Sequence, residues 1–134
     1  MIEAVKIWNE PNNKSHWDPL LDPKWELFSN MTRLAGQAIR AENSSLTRVL
    51  GGMSPIDPGF VERLEANGAL DHVDVIAVHG FPLDWNLWRI DDWPAKIAEI
   101  RAVTTKPVWV TEVGVSRMSV GDEGYGGGGQ RHQQ

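Results

Sequence analysis

Two glutamates stand where apolar, β-rich runs stop: Glu10 in Ile7-Trp8-Asn9-Glu10-Pro11-Asn12 and Glu112 in Val108-Trp109-Val110-Thr111-Glu112-Val113-Gly114. A carboxylate at a strand end is fixed by the strand and open to a ligand beyond it. Two such carboxylates on neighbouring or facing strands are the equipment of glycoside hydrolysis, one protonating the leaving oxygen and the other attacking the anomeric carbon or activating water. The two must then hold different protonation states, one carrying the proton and the other ionised. Taken alone, Glu10 would be a surface carboxylate and Glu112 a turn cap; paired in these contexts, they make a catalytic set.

The elements that must position them alternate. Val5 to Trp8 reads as a strand. Trp25 to Asn43 follows as a helix, with Leu27, Phe28, Met31, Leu34, Ala35, Ala38 and Ile39 on one face. Thr47 to Gly51 is a second strand and Phe60 to Ala66 a weaker helix. Val73 to His79 is the clearest strand, almost continuously apolar as a strand buried on both faces should be. A third helix spans Trp93 to Val103, stopped by Pro107, and the strand ending in Glu112 comes at once. Evenly spaced Asp22-Pro23, Asp57-Pro58 and Asp92-Trp93-Pro94 predict N-caps with proline in the first turn. Four strands joined by three helices imply right-handed crossovers and a parallel sheet. The fold class is therefore α/β, with Glu10, Ser54, His79 and Glu112 at the carboxyl ends of the strands, where this class carries its function.

Composition narrows the partners. The 134 residues carry 41% hydrophobic and 23% charged side chains, an ordinary globular balance. Net charge is −5, with no basic run, which argues against nucleic acid and anionic membranes. No apolar stretch approaches a membrane span. The first residues lack the basic and apolar regions of a signal peptide, so a cytoplasmic location is the default expectation. Without cysteine there is no disulfide, thiolate metal site or cysteine nucleophile. His16, His72, His79 and His132 show no metal-ligand spacing, no glycine loop follows a strand as a phosphate site would require, and no cofactor is expected. Ser54 lacks the Gly-x-Ser-x-Gly context of a serine nucleophile. Asn13-Lys14-Ser15, Asn30-Met31-Thr32 and Asn43-Ser44-Ser45 match the glycosylation triplet by chance. Seven tryptophans are an excess, and Trp85, Trp88 and Trp93 fall together; Trp85 and Trp88 are read either as a wall for sugar faces or as loop packing.

Asn-Glu-Pro at one strand end, Thr-Glu-Val-Gly at another and a strand ending in His79 between them resemble the clan of retaining glycosidases built on a (β/α)8 barrel, most of all its bacterial β-xylosidase-like and cellulase-like members. The resemblance covers residues 1 to about 116 and implies a partial TIM barrel, roughly strands four to seven with their helices, within a domain spanning 1–118. It implies Glu10 as acid/base, Glu112 as nucleophile, Asn9 on the sugar 2-hydroxyl and His79 in the substrate subsite, with a β-linked sugar as substrate. The clan often has His-x-Tyr on strand six, its tyrosine bonding the nucleophile; here the run is His79-Gly80-Phe81. Residues 119–134, with Gly126 to Gly129, have no periodicity and are expected to be disordered. A half barrel should expose sheet edges and self-associate or recruit a partner. A truncated or frameshifted glycosidase is one expectation, and a non-catalytic remnant or sugar-binding module needing a partner is its alternative.

Overall fold

A computed structural model describes residues 1–83 and 86–114. Its elements run β1 (Ala4–Ile7), α1 (Glu26–Glu42), β2 (Thr47–Met53), α2 (Pro58–Ala66), a 3-10 turn (Ala69–His72), β3 (Val75–Gly80), a second 3-10 turn (Ile90–Asp92), α3 (Trp93–Arg101) and β4 (Val108–Val113). The strands form one parallel sheet in the order β1-β2-β3-β4. Sequence order equals spatial order and a helix lies between each pair of strands, as in a consecutive segment of a (β/α)8 barrel. β1 and β4 have no outer neighbour among the described residues. The glycine-rich tail and Trp85 lie outside those residues.

Strand parity divides the sheet into two faces. On one, Ile7, Leu50, Met53, Ile76 and Val78 join Phe28 of α1, Val61 and Leu64 of α2, Leu70 of the first 3-10 turn and Ile100 of α3 in the main core. Each Leu, Ile or Phe removed from water there contributes about 1.5–3 kcal/mol. On the other face a small cluster of Val49, Val75 and Ala77 packs with Ala4. Register places Lys6 beside Val49 and Trp109 beside Ala77 on this second face, which corresponds to a barrel interior.

Helix α1 does not bury the face its periodicity suggests. Phe28, Ser29, Thr32 and Gly36 are buried, with Met31, Ala35 and Ile39 against the core, while Leu27 and Leu34 are exposed. Gly36 is fixed by a close approach: a Cβ there would press on the His72 carbonyl.

The three aspartates also behave differently. Asp57 caps α2 as expected, its carboxylate accepting from the Phe60 amide at 3.2 Å with Pro58 at the first position. Asp57→Ala is expected to cost about 1 kcal/mol, measurable by urea unfolding. Asp22 is not adjacent to its helix. Trp25 (φ 61°) turns the chain back, so that buried Asp22 accepts from the Leu27 and Phe28 amides at 3.1 and 2.9 Å and from the Trp17 indole. Burial pushes the Asp22 carboxyl up, but these hydrogen bonds outweigh it and hold it below the ordinary value. Asp92 makes no side-chain cap on α3; its carboxylate accepts from the Arg89 amide at 2.8 Å and closes the preceding turn.

Candidate functional site

The carboxyl ends of β1, β3 and β4 bring Glu10, His79 and Glu112 together, with one ligand atom of each within 4.8 Å of the others. Three local devices achieve this. The first is backbone strain after β1, where Trp8 (φ 66°) and Glu10 (φ 44°) adopt the left-handed region that non-glycine residues avoid. Such conformations cost of order 1–3 kcal/mol each and persist only where surroundings hold them. Here Asn12 supplies the hold: its Oδ1 accepts from the Ser54 amide at 2.9 Å and its Nδ2 donates to the Pro55 carbonyl at 2.7 Å, fastening the loop after β1 to the end of β2.

The second device is a bulge in β4. Val78 pairs with Val110, but His79 pairs with Glu112, so Thr111 is an extra residue. Strict alternation would put Glu112 on the same face as Val110. The inserted residue turns it onto the face of Trp109, Ala77 and His79 instead, a common use of bulges beside functional groups.

The third is the Gly51-Gly52 pair, where β2 also slips register. A Cβ on Gly51 would meet the Trp8 carbonyl, and one on Gly52 would enter the His79 imidazole. The ring therefore lies directly over Gly52. Gly52→Ala is expected to evict His79 from this position, costing about 1–3 kcal/mol as an overpacked core does. A shift of the His79 ring proton resonances together with a lowered urea midpoint would show it; unchanged resonances would refute it.

His79 is fully buried, and its Nδ1 lies 2.9 Å from Glu10 Oε1. Its Nε2 lies 3.4 Å from Glu112 Oε1 without forming a hydrogen bond. The second oxygen of Glu10 accepts from Asn13 Nδ2 at 3.2 Å and lies 3.3 Å from His16 Nδ1. Lys6 spans the two motifs, its ammonium 2.8 Å from Asn9 Oδ1 and 3.4 Å from Glu112 Oε1. The Glu10 side chain is 13% exposed and that of Glu112 44%. A cleft of about 510 Å³ opens beside Glu10, lined by Glu10, Asn13, Ser15, Ser54 and Phe81, with Glu112 outside its lining.

Of the residues expected from sequence, Glu10, His79 and Glu112 converge, and Asn9 joins them through Lys6. Trp88 is instead half-buried, packed edge-on against Trp93 with centroids 4.9 Å apart, and is not part of the cleft lining. Lys6, Asn12, Asn13 and His16 join the site with no motif in the sequence that assigns them to it. Lys6 did leave a signal, as a charge inside an apolar run, and so did paired glycines within a strand.

No family model matches the chain, and no curated protein does. A solved structure does: a family 51 α-L-arabinofuranosidase from Bifidobacterium longum, with a TM-score of 0.61 at 17% identity, over 90% of this chain and 28% of that one. The likeness is one of fold. The chain has the fold of a segment of a barrel of alternating strands and helices, spanning little more than a quarter of the length of the enzyme it resembles.

Proposed function

We propose that this chain carries the catalytic pair of a retaining glycosidase, with Glu112 as nucleophile and Glu10 as acid/base. The observation that supports it is the separation of the two carboxylates, one oxygen of each lying within 4.8 Å of the other. Retaining enzymes hold their carboxyl groups about 5–5.5 Å apart, whereas inverting enzymes need about 6.5–9.5 Å to admit a water. Glu112, the more open carboxylate, attacks the anomeric carbon. Glu10, held by His79 and Asn13, gives its proton to the leaving oxygen and then removes one from the water that releases the sugar. Lys6 donates to Asn9 Oδ1 and so turns the side-chain amide hydrogens, which have no acceptor among the described residues, toward a sugar hydroxyl.

The substrate on this reading is a pentoside, a β-xyloside by the sequence motifs or an α-L-arabinofuranoside by the fold neighbour. A second reading, a sugar-binding segment without turnover, draws on the open edges of β1 and β4, which leave the glutamates without a facing wall among the described residues. A panel of aryl xylosides, arabinofuranosides, glucosides and galactosides tests both. Turnover with retained anomeric configuration is the expected result. Inverted product would overturn the double-displacement assignment, and saturable sugar binding without turnover would favour the second reading.

A further inference from the structure

The His79 imidazole has two nitrogens in unlike situations. Nδ1 is engaged by Glu10 Oε1 at 2.9 Å. When Glu10 has given up its proton, as it has after the first step of the proposed reaction, that contact places the ring proton on Nδ1 and the lone pair on Nε2. With Glu10 carrying the proton the two are exchanged, so a metal ion and the acid form of Glu10 exclude one another. Nε2 is buried, has no hydrogen-bond partner among the described residues, and faces Glu112 Oε1 at 3.4 Å. Two electron-pair donors thus face one another across a gap that a positive centre would fill. The gap is of a width that a metal ion can bridge. Zinc binds imidazole nitrogen at about 2.0–2.1 Å and carboxylate oxygen at about 2.0–2.2 Å, so two ligands at a tetrahedral angle stand about 3.4 Å apart.

We propose that His79 Nε2 and Glu112 bind a divalent transition-metal ion, zinc being the best match, with Glu10 fixing the ring tautomer from behind. A carboxylate on the far nitrogen of a ligating histidine is the usual support of such sites. The ligands come from two strands whose pairing the β4 bulge sets, so no spacing along the chain announces them. Lys6 is the competing cation, its ammonium touching the same Glu112 oxygen. An ion bound here takes the Glu112 lone pair away from any sugar, so on the glycosidase reading zinc is an inhibitor of the reaction and not part of it.

The test is calorimetric titration of the full chain with Zn2+ alone, in parallel with Co2+ absorption, neither of which involves a sugar. The expected result is one ion per chain. Glu112→Gln, a change at an exposed side chain, removes binding. Glu10→Gln weakens it about 10–100-fold, as loss of a supporting carboxylate does. Lys6→Met tightens it, and His16→Ala leaves it unchanged. Circular dichroism confirms that each variant is folded. A folded wild-type chain that takes up no zinc overturns the proposal, as does undiminished binding in Glu112→Gln or a loss confined to His16→Ala. The outcome is separable from the catalytic assignment: a chain that hydrolyses glycosides without binding zinc keeps that assignment and loses this site, and the reverse result does the opposite.

Discussion

Glu112→Gln is expected to lower aryl glycoside turnover by about 10⁴-fold or more, since an amide cannot form the glycosyl ester on which double displacement depends. Glu10→Gln should behave differently, and the difference identifies the roles. A dinitrophenolate leaves without help, so the first step survives with that substrate. A methyl or sugar leaving group needs the proton, and its hydrolysis should fall about 10²–10⁴-fold. Azide, which needs no base, should restore release in Glu10→Gln by forming the glycosyl azide. The side chains affected are partly exposed, Glu112 more than Glu10, so neither change should unfold the chain. Equal losses with good and poor leaving groups, or persistent activity in Glu112→Gln, would remove the assignment.

Much of this arrangement is legible in the sequence, because strand type and strand end are written in local composition. The parallel α/β order follows from the alternation of elements, and Asp57-Pro58 marks its helix start because the cap is adjacent to the helix it serves. What escapes local reading is set by distant contacts. Alternation alone directs Glu112 toward the helix-covered face, with Val110; only the extra Thr111 turns it to His79. Asp22 reaches its helix only because Trp25 reverses the chain. Leu27 and Leu34 belong to an apolar helical pattern yet lie exposed, while Phe28, Ser29, Thr32 and Gly36 turn to the core. Trp88 shows the opposite case, an aromatic whose partner, Trp93, comes from its own segment.

The largest stability effect is expected at the other end of the sheet. Arg48, 5% exposed at the start of β2, donates to both Asp74 oxygens, Nε at 2.9 Å and one terminal nitrogen at 2.7 Å. The Arg48 amide donates to the same carboxylate at 2.9 Å, and the Asp74 amide returns a bond to the Arg48 carbonyl at 2.7 Å. Asp74→Asn leaves the guanidinium buried without its counter-charge. Loss of one partner of a buried pair costs about 3–5 kcal/mol, and the partial exposure of Asp74 places this case near about 3. In the folded chain the Arg48 hydrogen bonds hold the Asp74 carboxyl down to about 2, against an ordinary value of 3.8. A carboxyl lowered by folding stabilises at pH values above its unfolded value and loses that contribution as pH falls through its folded one. Wild-type stability should therefore decline between about pH 4 and 2, and Asp74→Asn should decline less steeply there. Asp22, also held low, leaves the variant a residual slope. Urea unfolding at stepped pH reads both effects, and parallel pH profiles for the two chains would refute the assignment. Because this pair sits at the amino ends of its strands and the glutamates at the carboxyl ends, Asp74→Asn should spare the site at temperatures where the chain stays folded. The sheet thus keeps the Arg48–Asp74 pair at one end and, at the other, strained backbone and a histidine nitrogen with no hydrogen-bond partner among the described residues, where a ligand would have to enter.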